Sequence, residues 1–444
     1  MKMTEPNPFP TFPTTLGALA CAAALLSGFA AAPTAHAADW PAYRGPNHDG
    51  STAEKIALKW PATGPAVVWK TPTSDGFSSF AIAGGKAYTI VSRKLDNTPT
   101  EVCLALEAST GKEAWAAPLS FTKYDGGGAS GAKGNDGGDG PRSTPTADGD
   151  HVYVLSSALQ LFCFEAKSGK PVWKKDLLAE HHGKNIRWQN AASPVIDGDL
   201  VFVGGGGPGE SLLAFNKADG KLAWKSQTET ITHSTPVVAT IHEVRQVIFF
   251  TQSGLVSLAT KDGALLWKQP FRFNVSTAIS PVVGGDIVYC AAGYDVGAAA
   301  CRITKTGAAF KATELWRSTG NKPVANHWST PVYKAGHLYG MFQFKEYGTG
   351  PLKCVELATG KVTWEKPGFG PGNVILVDGN LLALADNGEL VAVEATPAAY
   401  TETARAKILT GKCWSTPVVS NGRVYARSTK EAVCVDVSLK TAGQ

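Results

Sequence analysis

The chain has 444 residues, of which 43% are hydrophobic and 18% charged, so it can bury a core and is not intrinsically disordered. Its net charge of +5 is small for this length, and no block of Lys and Arg marks a nucleic-acid-binding groove. The 48 Gly and 27 Pro indicate many turns, and 12 Trp with only 3 Met is unusual for a helical protein.

The N-terminus has the pattern of a secretory signal peptide. Lys2 precedes an apolar run, and Ala35-His36-Ala37 places small residues at the −3 and −1 positions of a cleavage site. The pattern predicts a signal peptide over residues 1–37, cleavage after Ala37, and a periplasmic or secreted mature protein. A second apolar span is not found in the sequence, so no transmembrane segment is expected.

Two other interpretations of this N-terminus remain open. A membrane anchor would need a longer run than the one that Gly17 and Ser27 interrupt. A lipoprotein would be acylated at Cys21, but the apolar stretch continues beyond this cysteine. Neither fits the residues as well as a cleaved signal peptide.

A turn that contains Gly, usually followed by Lys, recurs along the rest of the chain and leads into a tryptophan. Successive tryptophans of this type are about 43 to 58 residues apart, the period of a four-stranded β-propeller blade. The Gly supplies the positive φ of a tight hairpin, and the tryptophan packs between blades. The copies end at Trp115, Trp173, Trp224, Trp267, Trp316 and Trp364.

A second repeated element, a Ser or Thr followed by Pro, leads into an apolar strand. Pro suits the first residue of a strand because no backbone N–H has to donate to the neighbouring strand there. Including two weaker copies, there are eight, which predicts eight inner strands. The copies begin at Ser79, Ser143, Ser193, Ser234, Ser280, Ser329, Gly372 and Ser415.

Strand counting predicts how the ring closes. Val67–Trp69 is an outer strand that precedes the first full blade, whereas the final blade, residues 415–437, stops before its outer strand. We therefore expect an all-β, eight-bladed β-propeller with four-stranded antiparallel blades, in which the N-terminal strand closes the last blade. The expected organisation is a signal peptide (1–37), an N-terminal extension (38–66), the propeller (67–437) and a C-terminal tail (438–444), in a monomer.

A small residue recurs six positions before each turn glycine. This predicts that a neighbouring aromatic ring leaves room only for a small side chain at this position. The seven cysteines after the signal peptide, several of them at this position, are therefore expected to be buried free thiols; a Cys290–Cys301 disulfide remains open. The small residues are Ala105, Cys163, Ala214, Ser257, Cys301 and Cys354, with Ala392 and Cys434 in the last two blades by strand alignment.

The repeated turn and tryptophan resemble the tryptophan-docking motif of the PQQ-like β-propeller repeat family, over nearly all of residues 67–437. The segment from Asp39 to Gly50 is similar to one in bacterial exported PQQ-like repeat proteins. The wider family includes quinone-dependent alcohol dehydrogenases and the BamB-type scaffold of outer-membrane assembly. For a dehydrogenase the resemblance implies an adjacent Cys-Cys pair, a calcium cage and an Asp base. The sequence has no Cys-Cys pair, and no motif matches the others.

The favoured function is therefore an exported, non-catalytic binding or scaffold protein of the cell envelope, without catalytic residues, metal or cofactor. Two alternatives remain open: a PQQ-dependent oxidoreductase of the alcohol dehydrogenase type, and a hydrolase or lyase with its site at the channel mouth. The loop Asp125–Gly140 has the composition of a calcium loop but not its ligand spacing. Expected partners are an envelope protein or a small-molecule or glycan ligand, and not nucleic acid.

Candidate binding residues directly precede the inner strands, at one mouth of the central channel. Arg, His and Trp side chains from different blades could stack on a planar or sugar-like ligand and bind an anionic group. The alternative is that they cap grooves between blades and satisfy backbone groups at strand ends. The candidates are Arg142, Arg187, Trp188, Asn190, His233, Asn326, His327, Trp328 and Trp414.

Overall fold

The computed structural model describes residues 39–439, except residues 62, 75, 122–139, 187, 321–322 and 344–348. The predicted signal peptide, its cleavage site, Cys21, nearly all of the loop 125–140, and residues 440–444 of the predicted tail lie outside the described residues. Among the described residues, no helix has the length and apolar character needed to cross a membrane.

The described residues form eight sheets, each built on four antiparallel strands, which confirms the predicted eight-bladed propeller. Two strands precede the first blade, β1 (Ser51–Thr52) and β2 (Ala66–Pro72), and one short helix, α1 (Leu177–Glu180), follows blade 2. Each blade starts with its inner strand. Blade 1 contains β3 (Ala81–Ala83), β4 (Lys86–Leu95), β5 (Thr98–Glu107) and β6 (Glu113–Phe121), and blade 2 contains β7 (Thr146–Asp148), β8 (His151–Leu155), β9 (Gln160–Glu165) and β10 (Pro171–Asp176). Blade 3 contains β11 (Val195–Asp197), β12 (Leu200–Gly204), β13 (Leu212–Asn216) and β14 (Leu222–Ser226). Blade 4 contains β15 (Val237–Ile241), β16 (Val244–Thr251), β17 (Gly254–Ala259) and β18 (Leu265–Pro270).

The second half of the ring repeats this order. Blade 5 contains β19 (Val282–Gly284), β20 (Ile287–Ala292), β21 (Gly297–Thr306) and β22 (Ala309–Thr319); blade 6, β23 (Val332–Lys334), β24 (His337–Met341), β25 (Leu352–Glu356) and β26 (Val362–Lys366); blade 7, β27 (Asn373–Val377), β28 (Asn380–Leu384), β29 (Glu389–Glu394) and β30 (Glu402–Lys407); blade 8, β31 (Val418–Ser420), β32 (Arg423–Arg427) and β33 (Glu431–Asp436).

The N-terminal strand closes the last blade, as predicted. Strand β2 pairs antiparallel with β33, with Trp69 opposite Cys434, and so supplies the outer strand of blade 8. Strand β1 adds a feature that the repeats did not predict, because it pairs in parallel with the inner strand β27 and makes blade 7 five-stranded.

The outer-strand tryptophans join neighbouring blades. The Trp69 indole Nε1 donates to the carbonyl oxygen of Ala108 at 2.9 Å, and a Cβ built at Gly111 would lie 2.6 Å from the Trp69 ring. Gly111 has φ +69°, a backbone conformation that favours glycine. The nearby Trp69 ring favours glycine as well, because it leaves no room for a Cβ. Trp267 differs and donates to Gln246 Oε1 of its own blade at 2.7 Å. Equivalent indole-to-carbonyl bonds of 2.8 to 3.0 Å are made by Trp115, Trp173, Trp224, Trp316 and Trp364.

The small residue of each blade lies between two large side chains. Cys163 pairs with Tyr153 on one side and with Trp173 on the other, and the centroids of these two rings are 5.9 Å apart. A larger side chain would separate the rings. In blade 5 the predicted position was wrong: Ala300, not Cys301, lies opposite Trp316, because a longer hairpin displaces the count from the turn glycine.

The cysteines of the described chain are buried free thiols. Cys290 pairs with Ala299 and Cys301 with Val288, so the alternative disulfide is not formed. Burial raises the pKa of the Cys163 thiol to about 12. The free cysteines are Cys103, Cys163, Cys290, Cys301, Cys354, Cys413 and Cys434.

The Ser/Thr that precedes the inner-strand proline holds adjacent blades together. The backbone N–H of Ser79 donates to Thr144 Oγ1 at 3.0 Å, and that of Thr144 donates to Ser193 Oγ at 2.9 Å. The N–H of Thr416 in blade 8 donates back to Ser79 Oγ at 2.8 Å. These hydroxyls satisfy backbone donors that a blade cannot pair within its own sheet.

Residues 39–60, the N-terminal segment, pass through the central channel. Trp40 is fully buried and bridges Ile82 of blade 1, whereas His48 Nε2 lies 3.1 Å from the carbonyl oxygen of Ile196 in blade 3. Glu54 then accepts a hydrogen bond of 2.5 Å from the Gly422 N–H, in the first turn of blade 8. Because His48 contacts blade 3 and β1 pairs with β27 of the opposite blade 7, the segment occupies the channel, and Glu54 brings it to the end opposite to the inner-strand starts.

Candidate functional site

The mouth is the end of the channel at which the inner strands begin. Because strand direction alternates within a blade, the loops between second and third strands lie at this same end. The mouth is therefore built from eight connections between blades and eight hairpin loops. Of the candidate residues, Arg187 lies outside the described residues.

Arg142, Trp188 and His233 connect the entries of blades 2, 3 and 4. The Arg142 Nη2 donates to the Trp188 carbonyl oxygen at 2.5 Å. The next residue, Gln189, has φ +61°, and its carbonyl oxygen lies 2.8 Å from His233 Nε2. The Trp188 and His233 rings meet edge to face with centroids 6.5 Å apart. The left-handed turn at Gln189 thus directs two successive carbonyl groups to Arg142 and His233.

A third polar side chain of the mouth, His327 of the blade 6 entry, lies within the electrostatic influence of Arg142. Burial, together with a smaller contribution from the Arg142 charge, lowers the pKa of His327 to about 4. Burial also holds the pKa of His233 well below its usual range, with added repulsion from Arg142 and His327. Both imidazoles are therefore neutral at neutral pH, and Arg142 gives the mouth a positive potential.

A continuous row of aromatic rings lies beside these donors; it is called the aromatic row and consists of Tyr294, His327, Trp328, Trp414 and Phe77. Ring centroids are 4.8 Å apart for Tyr294–His327, 5.5 Å for His327–Trp328, 4.7 Å for Trp328–Trp414 and 5.0 Å for Trp414–Phe77. The row extends over entries or loops of blades 5, 6, 8 and 1. It offers flat apolar surface near the Arg142 charge, which acts on His327.

Trp414 is fixed by its neighbours. Its Nε1 donates to Asp386 Oδ1 at 2.6 Å, and the Lys412 ammonium lies 4.3 Å from its ring centroid. Burial raises the pKa of Asp386, while the Trp414 hydrogen bond and the Lys412 charge oppose this rise. The Asn373 amide of blade 7 donates to the Trp414 carbonyl oxygen at 2.5 Å. These contacts orient the indole before any ligand arrives.

The two candidate asparagines have largely structural contacts. Asn190 is buried, and its side chain bonds the carbonyl oxygens of Ser156 and Ala192 and the N–H of Ala192. The Asn326 Nδ2 donates to the Ser329 carbonyl oxygen at 2.6 Å. Asn190 thus fits the capping alternative, with its amide fully used by the fold.

The sequence pattern did not single out Tyr294, Asp386 or Lys412. Tyr294 and Asp386 lie in loops between second and third strands, which reach the mouth although they do not precede an inner strand. The alternating direction of successive strands in each blade could have located them, because it places these loops at the mouth. Lys412 is two residues before Trp414, in a connection that the pattern did identify.

Within the described part of the chain, no group of three or more His, Cys, Asp and Glu side chains is placed to hold a metal ion. That the protein uses no cofactor stays a prediction.

A family model described as "Outer membrane protein assembly factor BamB" matches residues 99–366 and 348–442. Among curated proteins, the assembly factor BamB of Moranella endobia is 26% identical over 331 residues, 70% of this chain and 66% of the relative. BamB of Shewanella oneidensis is 26% identical over 260 residues, 55% of this chain and 62% of the relative. The chain thus spans just under two thirds of the length of these relatives.

Solved structures share the fold at low sequence identity. BamB from Moraxella catarrhalis superposes with a TM-score of 0.54 at 15% identity, covering 84% of this chain and 99% of that one. A quinohemoprotein alcohol dehydrogenase from Comamonas testosteroni gives 0.65 at 12% identity, covering 91% and 81%. These likenesses concern the fold alone. Because the family model covers well over half of the sequence, the chain belongs to the PQQ_2 family, whose model is described as outer membrane protein assembly factor BamB.

Proposed function

We propose that this protein is a non-catalytic scaffold of the bacterial cell envelope that binds a partner protein, as the name of its curated relatives suggests for them. An exported location is part of the proposal, supported by the A-x-A site after a single apolar run. The proposed partner class is an envelope protein concerned with the assembly of the outer membrane.

The observation that carries the proposal is the extent of the family match. It begins within blade 1 and continues to the end of blade 8, so the propeller itself is the matched region. The repeated residues of this region build the ring: Trp115 donates to the Ala166 carbonyl oxygen, and the Thr144 N–H donates to Ser193 Oγ. A rigid ring of this kind suits a binding platform.

The position of the N-terminal segment adds support. It fills the channel: Arg44 is buried and donates to the carbonyl oxygens of Thr330 and Pro331 at the blade 6 entry, at 3.0 and 2.9 Å, and Glu54 reaches the first turn of blade 8 at the opposite end. The rings of Trp188 and Trp328 are partly exposed at the mouth. We place the partner-binding surface there.

The test is affinity capture of the tagged full chain from crosslinked envelopes of its native cell, with mass spectrometry. We expect outer-membrane assembly proteins to be enriched, and a Trp328→Ala variant to lose them. Leu222→Ser, which changes an exposed side chain on an outer strand, is the matched control and should retain them. If the wild-type chain enriches no envelope protein over the tag alone, the scaffold role is wrong.

A further inference from the structure

The N-terminal segment pairs with the backbone of inner strands at equivalent positions of different blades. Ile82 in blade 1 and Leu376 in blade 7 are each the penultimate residue of their inner strand. Trp40 exchanges hydrogen bonds of 2.9 and 2.7 Å with Ile82, and the Leu376 N–H donates to the Gly50 carbonyl oxygen at 2.9 Å. Because the inner strand is the edge of its sheet, these groups face the channel and take their partner from outside the sheet. The channel thus binds an extended chain as a sheet edge binds an added strand.

Two side chains fix where the segment binds. Trp40 is fully buried, and Arg44, 5% exposed, donates to the carbonyl oxygens of Thr330 and Pro331 in blade 6 at 3.0 and 2.9 Å. Gly45 follows with φ +73°, and a Cβ built there would lie 3.0 Å from the Trp40 ring. Glycine therefore lets the chain turn against the indole. A tryptophan and, four residues later, an arginine followed by glycine match this channel.

The ring is complete without these contacts. Strands β2 to β33 form all eight four-stranded sheets, and β2 itself closes blade 8. The bonds between neighbouring blades, such as that from Trp69 to Ala108, also involve residues outside the segment. Strand β1 adds only two residues to blade 7. The segment therefore lies in a finished ring as a ligand would, although it belongs to the same chain.

The residues after Lys55 hold the segment to the ring by a separate set of contacts. The Ala57 N–H donates to the Val437 carbonyl oxygen at 2.7 Å, behind the last strand of blade 8, and Ile56 is buried. Residues 39–54 can thus leave the channel while Ile56 and Ala57 stay in place and blade 8 stays closed.

We propose that the channel is a binding site for an extended peptide, and that residues 39–54 are its releasable occupant. The recognised peptide carries a tryptophan and, four residues later, an arginine followed by glycine. Release uncovers the inner-strand edges of blades 1 and 7 and two carbonyl oxygens at the blade 6 entry. This site goes beyond the scaffold role and does not depend on it.

Amide hydrogen exchange of the wild-type full chain in low urea tests the release. The N–H of Leu376 donates to the segment, whereas Leu382 of the same blade lies in a strand that is paired on both sides. We expect Trp40 and Leu376 to exchange together, at least about tenfold faster than Leu382. Exchange of all three only with global unfolding would overturn the release.

A fluorescein-labelled peptide with the sequence of residues 39–55 tests the site, with fluorescence anisotropy as the readout. The full chain with Trp40→Ala and Arg44→Met should bind it at least about tenfold more tightly than the wild-type chain, whose channel is occupied. A peptide with the same two substitutions is the control and should bind neither chain. Equal affinity of the two chains for the unaltered peptide, or no binding to either, would overturn the peptide site.

The double variant also tests whether the ring is complete without the segment. Its circular dichroism spectrum should match that of the wild type, because the eight sheets do not include Trp40 or Arg44. Loss of the β-sheet signal would overturn the idea that the segment is a ligand of a finished ring.

Discussion

The Trp69 indole donates to the carbonyl oxygen of Ala108 at 2.9 Å, and this bond joins the two ends of the ring. Trp69 belongs to the N-terminal strand that completes blade 8, whereas Ala108 lies in a turn of blade 1. One residue therefore takes part in both steps of closure, the strand pairing with β33 and the packing of blade 8 on blade 1.

Trp69→Ala should destabilise the whole propeller. Loss of a buried indole from a core typically costs about 3–5 kcal/mol, and here it also removes the bond to Ala108. Urea unfolding followed by fluorescence and circular dichroism would measure the change. Val67→Ser, at an exposed position of the same strand, should stay near the wild type. Equal stability of the two variants would mean that Trp69 does not close the ring.

Gly111→Ala should cost more stability than Gly149→Ala. Both glycines have positive φ, +69° and +56°, so alanine is strained at either position by about 1–2 kcal/mol. A Cβ at Gly149 meets nothing within 4 Å, whereas one at Gly111 would overlap the Trp69 ring, adding about 1–3 kcal/mol. The difference between their free energies of unfolding isolates the ring contact. If the two losses are equal, backbone conformation alone explains the glycine.

The two mouth histidines should make the fold less stable as the pH falls. Their folded-state pKa values are lowered, that of His327 to about 4, so the unfolded chain binds more protons between about pH 6.5 and pH 4. Their contribution is complete above the unfolded pKa and is lost as the pH falls through this window. His327→Gln should flatten the dependence of the urea midpoint on pH between about 7.5 and 5. A variant with the wild-type slope would show that His327 does not titrate in this way.

Reconstitution with PQQ and calcium should give no dye-linked alcohol oxidation above buffer. The sequence lacks an adjacent cysteine pair, and no motif in it matches the calcium cage or the Asp base. A quinoprotein alcohol dehydrogenase assayed in parallel is the positive control. Turnover well above the buffer rate would instead support the oxidoreductase alternative.

The repeats predicted the ring because their signals are local and recur. A turn glycine followed by tryptophan identifies a hairpin wherever it occurs, and the unpaired strand at Val67 predicted the closure. The same counting failed in blade 5, where the longer hairpin places Ala300 opposite Trp316. Local spacing cannot detect such a change of register, since it follows from strand length.

The mouth and the N-terminal segment were less predictable, since their contacts join residues far apart in sequence. Residues before the inner strands identified His327 and Trp414 but not Tyr294, which reaches the mouth from a hairpin loop. The segment from Asp39 to Gly50 has no repeat, and nothing in its composition indicates that Arg44 bonds blade 6, 286 residues away. Only the assembled ring provides these partners.

Arg44→Met should release the N-terminal segment from the channel while the blades stay folded. The Arg44 guanidinium is 5% exposed and donates to the carbonyl oxygens of Thr330, Pro331 and Asp49. Methionine cannot donate to them, and lost bonds of a charged group are worth about 1.5–3 kcal/mol each. Amide hydrogen exchange of residues 40–50 should therefore quicken, with little change in the inner strands of blades 2 and 4. Lys55→Met, which removes an exposed charge from the same segment, is the control and should exchange like the wild type. Exchange that quickens equally in every blade would show that Arg44 supports the whole ring and not the segment alone.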